Sequence, residues 1–357
     1  MKKTKIISIS FLSIYILISS CSQLLYGQDS LKTEMLNMET LKRHVYSLAA
    51  DSMMGRKTGQ FGQRKAAIYC KTEMEKLGLL PLFSIDSGVS FVQHYTFDLV
   101  TPSGFMKMPP QLRFMNDVKV PVLNYSESNS TSIKGQNIGS WIIGNDKKEE
   151  FIVVSAHYDH LGRNGRSTFH GADDNASGTA TVLAVAEKFR SKINQGLKPR
   201  RSIIFVLFSG EEDGLLGSKY YVSSPPFPVE HIVCDINVDM VGRVDREHRK
   251  KRDYVYLIDG FDFPEIRKIL EEVNEKKVGL KIDQTHNSKD DPNQYYYRSD
   301  HYNFARKGVP VLFLMDGEHP DYHQPSDTAD KIEYDILQKR ATLIFETAWE
   351  LANRDKI

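Results

Sequence analysis

From residue 137 onward the chain alternates between two kinds of run. IGSWIIG, FIVVSAHYD, RSIIFVLFSG, HIVCDINVDM, DYVYLID and VPVLFLMD are apolar stretches of strand length, rich in β-branched and aromatic residues. Helical patterns lie between several of them, at 177–194 (SGTATVLAVAEKFRSKIN), 262–275 and 333–352. A strand that is apolar throughout must be covered on both sides, and strand–helix alternation supplies that cover. The predicted fold class is therefore α/β: three layers, a mostly parallel mixed sheet, helices on both faces. Ligand sites in such sheets gather beyond the carboxyl ends of the strands.

The rest of the chain fits around that frame. Residues 31–50 place apolar side chains at helical spacing, MMGRKTGQFGQ is turn-rich, and a helix is expected over about 62–78 with Gly78 as its cap. Residues 80–140 alternate weakly and carry prolines and serines, which predicts short strands and long connections. No repeat or low-complexity linker divides the chain, so a single domain is expected over 30–357. Ahead of it, Lys2, Lys3 and Lys5 precede an apolar stretch, Ile6 to Ile18, with the layout of a secretory signal too short to span a membrane. Its end, Leu17-Ile18-Ser19-Ser20-Cys21, resembles a bacterial lipobox. The expectation is a lipoprotein-type signal over 1–21 and an exported chain, either attached to a membrane through lipidated Cys21 or cleaved a few residues later and released. Cys70 and Cys234 are then left, too few for a disulfide scaffold, and both fall in patterns that read as buried hydrophobes.

A net charge of +1 and 26% charged residues give no reason to expect a nucleic-acid partner. The basic run 245–253 (DREHRKKRD) is bracketed by acids and reads as a solvated loop.

The carboxyl ends of the strand runs carry acids and imidazoles. FIVVSA ends in His157-Tyr158-Asp159-His160, IIFVLFSG in Glu211-Glu212 and HIVCDINV in Asp239, while VPVLFLMD runs into a loop holding Tyr322-His323. Asp173-Asp174 falls at the start of the 177–194 pattern, where a lone Asp would be read as a helix cap. Imidazole plus carboxylate is the ligand set of zinc. The residues permit two cations sharing one carboxylate, with His157 and Asp239 completing one site, Glu212 and His323 the other, and Asp174 between them. Asp159, two residues from His157, is suited to accept its imidazole N–H and fix the tautomer. Glu211 then has no cation to bind, and a carboxylate beside an activated water is a natural general base. Adjacent residues leaving a strand point to opposite sides, so the two glutamates can hold separate roles.

HYDHLG, GADDNASG, FSGEEDGLLGS, NVDMVG and DYHQPSDT, in that order, resemble the motifs of the co-catalytic zinc peptidases, the family of aminopeptidase Y, bacterial leucyl aminopeptidase and the glutamate carboxypeptidases. LAADSMMGRKTGQFGQRKAAIYCKTEMEKLGL resembles that family's N-terminal helices and YRSDHYNFARKGVPVLFLMD its penultimate segment. The similarity runs over roughly residues 40–350 and is weakest over 85–135. The resemblance implies a zinc-exopeptidase (phosphorylase/hydrolase-like) architecture, two zinc ions per chain and a peptide substrate. It implies ligands at His157, Asp174, Glu212, Asp239 and His323 and the base at Glu211. It further implies that Tyr322 donates to the tetrahedral oxyanion; packing against the loop is the alternative. Ser299-Asp300-His301 matches a family triplet that either lines the pocket or braces the ligands. Asp173 reads as an exposed or supporting acid, Asp213 as a turn residue, and His160, His170 and His319 as loop histidines.

The expected activity is removal of N-terminal residues from peptides, with dipeptidase and carboxypeptidase action as alternatives on the same fold. Two other classes compete: a glutaminyl cyclase, which keeps one zinc, and an inactive binding module. The intact Asp-Asp-Asn-Ala-Ser-Gly run and the distance of Trp141 and Trp349 from every motif speak against the cyclase. Six competent residues at the six catalytic positions speak against a dead homologue. A second co-catalytic family inserts a lid domain after its third acidic ligand. The interval from Asp239 to His323 is already filled by a helical pattern and strand runs.

Overall fold

Side chains on successive residues of a strand point to opposite faces, and here that alternation decides where the helices lie. The structure is a computed structural model that describes residues 33–86, 88–99 and 131–357. The expected signal over 1–21 with Cys21, and residues 100–130, lie outside the described residues. The strands of the main sheet are β1 (Leu80–Pro81), β2 (Val92–Leu99), β3 (Thr131–Ile142), β4 (Lys147–His157), β5 (Arg201–Phe208), β6 (Ile232–Val238), β7 (Tyr254–Ile258), β8 (Lys281–Asp283) and β9 (Val311–Met315). The helices are α1 (Met38–Leu48), α2 (Phe61–Lys76), α3 (Gly178–Asn194), α4 (Leu216–Ser223), α5 (Pro264–Lys277), α6 (His301–Ala305) and α7 (Tyr334–Asn353).

The strand order is β1-β3-β5-β4-β6-β9-β7-β8, with β2 also paired to β3. The middle four strands run parallel. Antiparallel pairings flank them, β3 with β5 on one side and β7 with β9 on the other, so the sheet is mixed. Register aligns His157 with Phe208 and Ser155 with Asn237, which sets the carboxyl ends of β4, β5 and β6 side by side. The expected three layers follow from the alternation. Ile203, Phe205 and Leu207 of β5 face a core shared with α1, α3 and α7. Ile204, Val206 and Phe208 face the opposite side, against Tyr221 and Val222 of α4 and Phe304 of α6. Full burial of each such side chain contributes about 1.5–3 kcal/mol. Truncating Phe205 to Ala is expected to cost ~3–5 kcal/mol.

Helix ends obey local chemistry. Gly78, at φ +64°, lets the Leu79 N–H reach back to the Met74 carbonyl (3.3 Å) and closes α2 as expected. Pro264 opens α5 at a position where no amide donor is needed. Three short elements, α4, α6 and β8, were not anticipated, because three to eight residues are too few to establish a period. The basic run departs from expectation in another way. Asp245 and His248 within it are buried, with His248 stacked 3.5 Å from the Tyr254 ring and held between Asp245 (2.9 Å) and Asp283 (3.1 Å). Cys70 and Cys234 are buried free thiols, and burial pushes Cys70 up to about 12. Among the described residues no helix is long and apolar enough to cross a membrane.

Candidate metal centre

The structure brings the five predicted ligands together at the carboxyl rim of the parallel strands. His157, the last residue of β4, points Nε2 at Asp174 Oδ1 (3.3 Å) and Asp239 Oδ1 (3.2 Å), with Glu211 Oε2 at 4.0 Å. His323 Nε2 meets Asp174 Oδ2 at 3.1 Å and Glu212 Oε2 at 3.4 Å. Asp174 thus offers one oxygen to each imidazole, between two groups of donors. Glu211 and Glu212, adjacent in the chain, face different groups, as their alternation after β5 predicts.

One residue read as a loop histidine belongs here. His160 is buried, and its Nδ1 donates to Glu212 Oε1 at 2.8 Å and lies 3.6 Å from Asp174 Oδ2. Its Nε2 is buried with no hydrogen-bond partner. His160, Asp174 and Glu212 form one compact three-donor group, and His157, Asp174 and Asp239 another. Nothing local in the chain marks His160 beyond its place in HYDH, because its partner lies 52 residues away. His319 is likewise buried and pairs with Asp173 (3.1 Å), while His170 stays at the loop surface with Nδ1 on the Ala49 carbonyl. Asp173 is a buried supporting acid, since its other oxygen accepts from the Gly242 amide at 2.7 Å. Asp213 sits in a turn beside Lys57.

Buried side chains hold the ligand candidates in place. The Asp327 carboxylate accepts the amides of Asp173 (2.9 Å) and Asp174 (3.2 Å). Asn175 accepts from the Met240 amide (3.2 Å) and donates to the Val238 carbonyl (2.9 Å), which ties the Asp174 turn to the exit of β6. Ser299 donates to Asp239 Oδ2 (2.7 Å) while accepting from Asn237 (2.8 Å). The Ser299-Asp300-His301 triplet therefore lies behind the ligands. Asp300 and His301 are both buried, and His301 packs on the Phe313 ring at 4.3 Å. Asp159 meets His157 Nδ1 through its carbonyl at 3.3 Å and its carboxylate at 3.7 Å. Helix α7 reaches the rim through Arg340, fully buried, whose guanidinium bonds the carbonyls of Val241 (2.9 Å), Arg243 (2.7 Å) and Tyr254 (2.8 Å) and the Asp316 carboxylate (3.0 Å). Met240 and His323 take left-handed backbone conformations, at φ +57° and +55°, an arrangement that non-glycine residues adopt at a cost of ~1 kcal/mol.

Crowding sets the electrostatics. Burial opposes a charge on His157, but the Asp239 and Glu211 carboxylates outweigh it and raise the imidazole well above its ordinary value. Burial and Asp174 oppose ionisation of Glu212, yet hydrogen bonds from His160 and His323 pull it down to about 2. The Glu211 carboxyl, lacking such donors, is pushed well up, by burial first.

A cavity opens beside these groups, walled by Met240, Tyr295, Phe313 and Met315. Tyr322 lines it and lies against the His323 ring (3.9 Å), and its hydroxyl oxygen accepts from Arg298 at 3.1 Å. Arg298, unremarked in the sequence, is fixed in turn by Glu318 at 2.8 Å. Of the three consecutive tyrosines at 295–297, Tyr295 lines the cavity while Tyr296 packs on Phe261.

Nitrogen and carboxylate donors spaced 3.1–3.4 Å apart around two shared centres fit zinc, whose protein ligands are imidazole and carboxylate.

The family comparison covers these residues. The profile of peptidase family M28 matches residues 137–348, which include all five ligand candidates and Glu211. The chain belongs to peptidase family M28. Among its relatives, a probable leucine aminopeptidase of Trichophyton verrucosum is 27% identical over 212 residues, 58% of this chain and 55% of that protein. Aminopeptidase YwaD of Bacillus subtilis is 27% identical over 222 residues, 59% of this chain and 43% of that protein. The chain spans about half the length of these relatives. Similar folds include a zinc aminopeptidase from Bacillus subtilis (TM-score 0.63, 18% identity, 90% of this chain and 97% of that one). A glutaminyl cyclase from Bacteroides thetaiotaomicron is as similar (TM-score 0.63, 16% identity, 89% and 99%). Fold likeness at this level does not separate the two activities.

Proposed function

We propose that this M28 chain is a zinc-dependent exopeptidase that removes N-terminal residues from peptides. The observation that carries the reading is the carboxylate of Asp174, which offers one oxygen to a donor group with His157 and Asp239 and the other to a group with His323 and Glu212, with Glu211 beside them and outside both. His157 and Asp239 would hold one zinc ion, Glu212 and His323 the other, and Asp174 would join them. When bound, the two ions would polarise the scissile carbonyl and acidify the attacking water.

The chain's own residues account for the proton traffic. A Glu211 carboxylate oxygen takes the proton from the water as its oxygen bonds to the carbonyl carbon. The same proton then passes to the departing amine nitrogen as the C–N bond breaks. The Tyr322 hydroxyl donates to the oxyanion, while its own oxygen is held by Arg298. Asp159 keeps the His157 ring oriented, so that Nε2 faces the shared carboxylate.

Two features weigh against the cyclase reading. Both donor groups are present, which suits two ions and not one. The two tryptophans lie in packing, Trp141 against Phe227 and Trp349 against Phe189, away from the cavity. For location, the leader reading supports an exported protein, anchored through Cys21 or released.

Purified protein should be assayed on aminoacyl and dipeptide substrates, free and N-blocked, with and without chelator. Free-amine substrates should be cleaved, chelation should stop turnover, and zinc should restore it. Preference for N-blocked peptides would sink the aminopeptidase reading, and activity surviving chelation would sink the zinc mechanism.

A further inference from the structure

A tight turn at residues 54–59, outside the stretch matched to the family, grips the rim of the site. Met54, Gly55 and Arg56 are consecutive residues at positive φ (53°, 67° and 52°). A side chain at Gly55 would meet the carbonyl oxygens of Gly162 and Phe169 at 2.2 and 2.5 Å, so only glycine brings the turn this close. The bend buries Arg56 completely, and its guanidinium donates to the carbonyls of Leu48, Tyr158, His170 and Gly171 at 2.7–2.9 Å. Tyr158 follows His157 directly, and Gly171 opens the turn to Asp174.

Thr58 makes the more pointed contact. It is 2% exposed, and its hydroxyl donates to Asp159 Oδ2 (2.9 Å) while accepting the Gly210 amide (2.8 Å). The other Asp159 oxygen accepts the Glu211 amide at 3.3 Å. One hydroxyl and one carboxylate thus close a ring between the exit of β4, which carries His157, and the exit of β5, which carries Glu211 and Glu212.

The geometry points to Thr58 as a positioning residue of the reaction centre, which acts through Asp159 on His157 and through the Gly210-Glu211 backbone on the base. This rests on the reading of Glu211 and His157 given above. Hydrogen-bonding partners of zinc ligands and bases change affinity or rate about 10–100-fold when removed, and a hydroxyl joining both should show in both.

The test compares Thr58→Val, which keeps the shape and deletes the hydroxyl, with Thr58→Ser, which keeps the hydroxyl. Glu211→Gln is run in parallel, and zinc affinity is measured by chelator competition alongside kcat and KM. The expected result is that Thr58→Val lowers kcat about 10–100-fold with KM within about twofold and weakens zinc binding about 10-fold, while Thr58→Ser restores both. A folded Thr58→Val with unchanged kcat and zinc affinity would overturn the inference. So would a Thr58→Ser as impaired as Thr58→Val, because the methyl and not the hydroxyl would then matter. If Thr58→Val does not fold, Thr58→Ala is compared with Thr58→Ser by the same readouts. Full activity in Glu211→Gln would instead overturn the catalytic reading beneath it, separately from the fate of Thr58.

Discussion

The two halves of the candidate metal centre are built differently. His157 and Asp239 stand at the ends of β4 and β6, neighbours in the parallel sheet, and the His157 side chain is 1% exposed. Glu212 and His323 stand on loops, and the His323 side chain is 34% exposed. The strand-built half is placed by sheet register and cannot shift without disturbing the core. The loop-built half is placed by side-chain hydrogen bonds, chiefly from His160, and by a left-handed backbone at His323. Metal retention and fold stability should therefore separate in the loop-built half and travel together in the strand-built half.

The largest effect tests the residue that stands outside both halves. Glu211→Gln should lower kcat by ~10³-fold or more while the protein keeps two zinc ions by metal analysis. Loss of an ion would mean that the two glutamates have exchanged roles. His157→Ala and His323→Ala test the comparison directly. His157→Ala should destabilise even the metal-free protein by ~3–5 kcal/mol in urea unfolding, because it removes a buried imidazole from between carboxylates. His323→Ala should lose one ion per chain and leave the metal-free unfolding curve within ~1 kcal/mol of the parent. Equal destabilisation by the two variants would erase the distinction.

His160→Ala sharpens it further. Zinc affinity should fall about 10–100-fold at one site of two, read as a biphasic chelator titration; a uniform loss would place His160 in both halves. The smallest effect separates acid damage at the centre from acid damage elsewhere. Burial first, then the nearby Arg43 cation, lowers His44 to about 4, whereas an unfolded histidine titrates near 6.5. Between those values the unfolded chain binds the proton and the folded chain does not. The stability contribution of a neutral His44 is therefore complete above pH ~6.5 and lost as pH falls toward 4. Metal-free protein should lose ~1–3 kcal/mol on this account between pH 7 and 4.5, and His44→Phe should remove that share of the loss.

Much of this was legible in the sequence because it depends on local pattern. The runs that became β4, β5, β6, β7 and β9 announce themselves by apolar content, and acids or imidazoles directly after β4, β5 and β6 mark the rim. What escaped depends on partners distant along the chain. Thr58 meets Asp159 across 101 residues, Asp173 meets His319 across 146, and His160 meets Glu212 across 52. Their residue types are ordinary in turns and loops, so nothing local separates them from solvated neighbours. Arg340 is the sharpest case. On an amphipathic helix an arginine reads as the wet face, yet this one is fully buried because carbonyls and a carboxylate wait for it.

That arginine also fixes an order of events. Helix α7 follows every residue of the metal centre along the chain, and Arg340 binds the carbonyls of Val241 and Arg243, just past Asp239. During synthesis from the N-terminus, β4, β5 and β6 can pair long before that guanidinium exists. The loop behind Asp239 would meanwhile leave its carbonyls to water. A ribosome stalled before α7 should hold a nascent chain with most of its sheet and an unfinished rim, and α7, once it emerges, would lock a site whose ligand candidates had all been made already.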